Sequence, residues 1–186
     1  HALINRLGFN NDGLETISKR ISNNLPNDVL GINIGPNKDT KNKSEDFIVC
    51  LSQLHNNADY VTINISSPNT KGLTDFHERK SLSELLEKLN NVKKEKKINK
   101  PLFVKISPDI EEVSISHINE LILKHKIHGV IISNTTDGNR DKLIDIQKSE
   151  KGGLSGLPVR NLSTNLIKKF YKEVKGKIKI IGVGGV

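Results

Sequence analysis

At 186 residues, with 34% apolar content and a mean hydropathy of −0.42, the chain has the composition of a globular domain with one sizeable core. Its longest apolar runs fall far short of the roughly 20 residues a transmembrane helix needs. The net charge of +8 comes from 29 Lys+Arg interspersed with 21 Asp+Glu, and aromatics make up only 4%, so the charge reads as a solvated face and not as a nucleic-acid stripe with stacking rings.

A first helical stripe steps by three or four through Leu14, Ile17, Ile21 and Leu25. Val29–Ile34 follows as a buried strand. Phe47, Leu51 and Leu54 mark a second helix, with Cys50 beside them as a core thiol. Tyr60–Ile65 is a second strand, and it breaks into Ser66-Ser67-Pro68-Asn69-Thr70. Pro68 cannot donate to a sheet ladder and pushes Ser67 toward extended geometry, so the strand ends there. Ser81 and Glu84 form a capping box before the stripe Leu82, Leu85, Leu86, Leu89 and Val92. Leu102–Ile106, the stripe of Val113, His117, Ile118, Leu121 and Ile122, and Gly129–Ser133 come next. Leu162, Leu166, Ile167 and Phe170 precede a last strand at Ile178–Val183. The chain contains no methionine and stops just past a buried strand, so residues 1–186 read as an internal fragment of one longer domain.

Strands this continuously apolar, alternating with helices, predict a parallel sheet built from βαβ units. A doubly wound sheet and a (β/α)8 barrel both fit that order. The barrel is favoured because polar groups recur at strand C-termini: Asn33, Asn64 through Asn69, Lys105 and Asn134. The expectation is a partial TIM barrel of about five βα units.

The candidate chemistry follows from those positions. Asn5, Asn33, Asn64, Asn69 and Asn134 are uncharged and offer both donors and acceptors, which suits a flat heterocycle of alternating C=O and N–H groups. A single asparagine at a strand end is more often a turn residue. Lys105 interrupts an apolar strand, where a cation is costly unless it stabilises negative charge on a ligand. Ser67 is a candidate general base with Thr70 three residues on, although a plain Ser-Pro turn is the commoner reading. Gly152-Gly153-Leu154-Ser155-Gly156 and Gly182-Val183-Gly184-Gly185 read as turns able to cradle a phosphate. The residues suggest no metal site.

Six segments then occur in one order: Asn5-Arg6-Leu7-Gly8-Phe9-Asn10-Asn11, Gly31-Ile32-Asn33-Ile34-Gly35, Asn64 through Thr70, Val104-Lys105-Ile106-Ser107-Pro108-Asp109, Ser133-Asn134-Thr135-Thr136 and Gly152 through Gly156. Together they resemble class 2 dihydroorotate dehydrogenase, the quinone-dependent, membrane-associated type. The resemblance implies an FMN-containing (β/α)8 barrel that oxidises dihydroorotate to orotate in pyrimidine biosynthesis. It implies Ser67 as the base removing the C5 proton, where class 1 carries cysteine, with Thr70 and Phe9 flanking the proton's exit. Asn5, Asn64, Asn69 and Asn134 would hold the substrate, beside Arg6, Leu7, Gly8, Phe9 and Thr135. Asn33, Asn64, Lys105, Ser133, Gly156 and Gly185 would contact FMN. Ser133 stands where many relatives have threonine. The resemblance implies that the family's N-terminal quinone-receiving helices, first two barrel strands and last strand would lie outside residues 1–186. The resemblance also implies peripheral attachment to a membrane, at the cytoplasmic face of a bacterial inner membrane or at the mitochondrial inner membrane in a eukaryote. No nucleic-acid partner is expected. Two rival readings are another FMN-dependent pyrimidine oxidoreductase and a basic domain that binds RNA or anionic lipid.

Overall fold

The β-branched runs form parallel strands, and the periodic stripes form the helices that cover them. The computed structural model describes residues 1–186 apart from Lys71 and Val186. In chain order the elements are β1 (Ala2–Asn5), α1 (Leu14–Asn23), β2 (Gly31–Ile34), α2 (Lys43–Leu54), β3 (Tyr60–Asn64), α3 (Arg79–Glu95), β4 (Leu102–Ile106), α4 (Glu112–Lys124), β5 (Gly129–Ile132), β6 (Gly153–Gly156), α5 (Leu157–Val174) and β7 (Lys179–Gly182). One sheet is five-stranded and wholly parallel, in the order β2-β3-β4-β5-β7. Each new parallel strand adds to the same side. A doubly wound sheet would reverse direction at a switch point, so the order is that of a partial (β/α)8 barrel.

The register separates two faces. Ile63 pairs with Val104 and Val104 with Val130, and these side chains pack under the helices in the main core. Asn64 pairs with Lys105 and Lys105 with Ile131, a row on the opposite face. Asn33, Thr62 and Phe103 form the row before it. Helix α3 buries all five residues of its stripe, and α2 buries Phe47, Leu51 and Leu54. Cys50 packs against this core, where burial and the nearby Asp46 carboxylate push its thiol up to about 11.

Four sequence expectations are corrected. Leu25 lies past the end of α1, because Pro26 forces the residue before it out of helical geometry. Ser81 is inside α3 and not at its cap; the preceding 3-10 turn, Thr74–His77, delivers Glu78 to the N-cap position three residues earlier. Val113 is 72% exposed, and Ile115 takes its place on the buried face of α4. The Gly152–Gly156 segment is largely strand: β6 pairs antiparallel with β1, which carries Asn5 opposite Gly153.

His77 closes the 3-10 turn against α4. It is buried, its Nε2 has no partner among the described residues, and its backbone carbonyl lies 2.6 Å from His117 Nε2. Burial, and secondarily the charge of His117, lower its pKa from 6.5 to about 4. The folded state therefore resists a proton that the unfolded chain accepts near 6.5, and the stability held above that pH is lost as pH falls toward 4. In the intact protein, His77→Gln should flatten the decline in urea midpoint between pH 6.5 and 4, a window worth up to about 3 kcal/mol. A variant whose midpoint falls as steeply as wild type's would show that another group controls it.

Candidate active site

Chain geometry at the C-terminal ends of β3, β4 and β5 assembles the site. At the end of β3, Asn64 Oδ1 accepts from Ser66 N at 3.1 Å and from Ser66 Oγ at 2.7 Å. Ser66 Oγ in turn accepts from Asn134 Nδ2, just past β5, at 2.9 Å. Asn134 Oδ1 accepts from Thr135 N at 2.8 Å. Three side chains from two strand ends are thereby locked, and Asn64 Nδ2 has no protein partner among the described residues.

Ser67 and Thr70 are both buried, with Thr70 Oγ1 3.5 Å from Ser67 Oγ and Thr70 N bonded to Ser67 O at 3.4 Å. Asn69 Nδ2 donates to Asn5 O, and Asn5 Nδ2 donates to Gly153 O, each at 3.3 Å. The tip of the Phe9 ring abuts the backbone at Gly35, where a Cβ would fall 2.1 Å from its Cζ. A side chain at position 35 would expel it.

A cavity of about 200 Å³ is lined by Asn5, Gly8, Phe9, Asn33, Asn64, Ser67, Asn69, Lys105, Asn134 and Thr135, together with Pro68. Ten of the sequence-predicted residues thus meet at one place. Thr70 stands behind Ser67, and Ser133 is buried beneath, its Oγ donating to Asn134 O at 3.0 Å. Arg6 and Leu7 lie outside the cavity; Arg6 Nη1 pairs with Glu150 at 2.6 Å, and Leu7 is 67% exposed. Gly156 and Gly185 sit together elsewhere. Gly156 caps the N-terminus of α5 at φ 88°, and a Cβ on Gly185 would fall 2.8 Å from its carbonyl oxygen.

Lys105 is half-buried and takes part in no ion pair among the described residues. Burial lowers its pKa below the ordinary lysine value. A larger open groove of about 1350 Å³ runs between β1, the loop after β5 and the start of α5, but it holds none of the pocket amides. Chemistry and not volume locates the site. Among the described residues no cluster of three or more His, Cys, Asp or Glu could hold a metal, and no helix is long and apolar enough to cross a membrane.

Sequence reasoning gave no role to Ser66, whose hydroxyl joins two amides, or to Asp109, whose carboxylate accepts from Thr136 Oγ1 and Asp137 N. The spacing of Ser66, two residues after Asn64, was the available signal.

The family model for dihydroorotate dehydrogenase matches residues 1–186. The chain belongs to that family. Similar curated proteins include the dihydroorotate dehydrogenase (quinone) of Wigglesworthia glossinidia brevipalpis, 43% identical over 196 residues, and that of Idiomarina loihiensis, 44% identical over 191. Each comparison covers 100% of this chain and 57% of the relative, so the chain spans little more than half their length. Among solved structures, a dihydroorotate dehydrogenase from Eimeria tenella in complex with ferulenol superposes with a TM-score of 0.93 at 34% identity, over 100% of this chain and 57% of that one.

If burial depresses Lys105 as described, reductive ¹³C-methylation of the intact protein followed by NMR titration should show it deprotonating at lower pH than the surface lysines. Titration together with the surface set would mean the cation is solvated.

Proposed function

We propose that the intact protein oxidises dihydroorotate to orotate in pyrimidine biosynthesis, with FMN as its cofactor and a quinone as the final electron acceptor. The observation that carries this reading is the convergence of Asn5, Asn64, Asn69 and Asn134 with Ser67 and Lys105 on one cavity, in a chain of this family.

The residues fit FMN in two ways. Lys105, a half-buried cation without an anionic partner among the described residues, lies beside Asn33 and Asn64, as an electron-rich ring would require. Gly156 and Gly185 bring backbone together at the N-terminus of an 18-residue helix, a favourable setting for a phosphate. The chemistry FMN would supply when bound is acceptance of the second hydrogen with its electron pair, as hydride.

This chain's own residues orient the substrate and move its proton. Asn64 Nδ2 is free to donate into the cavity because its Oδ1 is held by Ser66. Asn134 and Asn69 are fixed by their own bonds and so present one geometry to a planar ring. Ser67 Oγ takes the C5 proton as its own hydroxyl proton passes to Thr70 Oγ1, which releases its own proton to water in turn. Hydroxyls rotate, so either can donate across their 3.5 Å separation. Phe9 and Gly8 line the same cavity, and Gly8 borders that loop: a Cβ on it would lie 3.9 Å from Thr70 Oγ1. A quinone acceptor dissolves in lipid, which fits peripheral association of the intact protein with a membrane, at the bacterial inner membrane or its mitochondrial counterpart.

In the intact protein, Ser67→Ala should slow dihydroorotate oxidation by about 10²–10⁴-fold, the usual worth of a positioned acid–base group. The flavin absorbance should be retained, and Ser67→Cys should keep more activity than Ser67→Ala. A rate for Ser67→Ala within about threefold of wild type would remove Ser67 from the base role.

A further inference from the structure

The loop joining β5 to β6 has no core of its own. Ile144 is 102% and Ile146 93% exposed, and most of its other side chains point to water. A loop this long needs another source of order. Its start is held by Asp109, which accepts from Thr136 and Asp137. Its far end is gathered by Arg140. The guanidinium donates from Nε to Asp137 O at 3.1 Å, from Nη1 to Lys148 O at 3.2 Å and Glu150 O at 2.6 Å, and from Nη2 to Gly152 O. Four carbonyls converge on one planar fork, which a lysine ammonium cannot imitate.

What those carbonyls lead into is the pocket wall. Gly152 and Gly153 follow directly, and both press on pocket residues: a Cβ on Gly152 would fall 2.3 Å from Asn5 O, and one on Gly153 would fall 2.0 Å from Thr135 Oγ1. Gly153 O accepts from Asn5 Nδ2, and Asn5 O accepts from Asn69 Nδ2. A shift at Gly152 therefore passes to Asn5, Asn69 and Thr135 without an intervening flexible group.

We infer that Arg140 is a positioning residue for the pocket: by gathering the carbonyls of the loop before β6, it fixes where Gly152 and Gly153 meet Asn5 and Thr135. It does not line the cavity itself. The identity of the molecule it helps to orient rests on the proposed function.

The test uses Arg140→Ala and Arg140→Lys in the intact protein, with orotate as the probe. By calorimetry, Arg140→Ala should bind orotate about tenfold more weakly, the scale of a sub-ångström to ångström misplacement of orienting groups. Arg140→Lys should recover little of it, and millimolar methylguanidinium should restore part of the affinity to Arg140→Ala but add nothing to wild type. Trypsin should cut faster after the exposed Lys142, Lys148 and Lys151 in both variants. Faster cutting with unchanged orotate affinity would make Arg140 a purely structural staple and overturn the inference. If Arg140→Ala does not fold, Arg140→Lys carries the same comparison. If wild type itself fails to bind orotate, the substrate reading falls. The positioning role is then judged by the side-chain amide NMR signals of Asn5 and Asn69, and signals unmoved in Arg140→Lys would overturn it.

Discussion

The parallel register of β3, β4 and β5 sets both the core and the pocket. Side chains alternate along a strand, so pairing Asn64 with Lys105 also pairs Ile63 with Val104 on the other face. A slip of one residue would carry the amide and the cation under the helices and lift the aliphatic row out of the core. Each buried aliphatic residue contributes about 1.5–3 kcal/mol, and an unpaired ammonium in an apolar core costs more than one such residue supplies. Both terms act in the same direction. The helices covering Ile63, Val104 and Val130 thereby hold Asn64 and Lys105 on the side where a ligand can reach them.

That coupling explains what could be read from residues alone. The five parallel strands were visible because each is a short β-branched run, and their sequential order followed from the helices between them. Asn33, Asn64, Lys105 and Asn134 stood out because they are polar in or beside apolar runs, and the cavity brings all four together. The residues before β2 were harder. Asn5 was legible only as one more amide beside Asn33, Asn64, Asn69 and Asn134, and Phe9 belongs to no repeating pattern; it was the likeness of its segment to a known family that singled Phe9 out.

Other features were hidden for identifiable reasons. Strands β1 and β6 lie about 150 residues apart in sequence and have only four residues each. The glycines of β6 carry a turn signal that pairing with β1 overrides. Leu25 fitted a helical stripe until Pro26 is considered, and Val113 fitted one by spacing although a first-turn position can face outward. Arg140 stands in a polar stretch rich in Asp and Asn, and nothing local distinguishes an arginine that gathers four carbonyls from one that faces water. Its role is long-range in space and carried by backbone groups, which sequence does not display.

Ser66 shows how little slack the arrangement has. Its hydroxyl donates to Asn64 and accepts from Asn134, so one oxygen ties the end of β3 to the end of β5 across the strand between them. Removing this buried hydroxyl would leave Asn134 Nδ2 unpaired, at a cost of about 1–3 kcal/mol, and would take from Asn64 Oδ1 one of its two donors. The same bonds prevent either amide from rotating, which is what lets a small planar molecule find one fixed set of donors and acceptors. Next to this locked frame, Lys105 and Ser67 have few partners of their own. Rigid amides surrounding a cation without an anionic partner among the described residues and a lightly engaged hydroxyl make a division between groups that hold a ligand and groups whose charge or proton remains available to it.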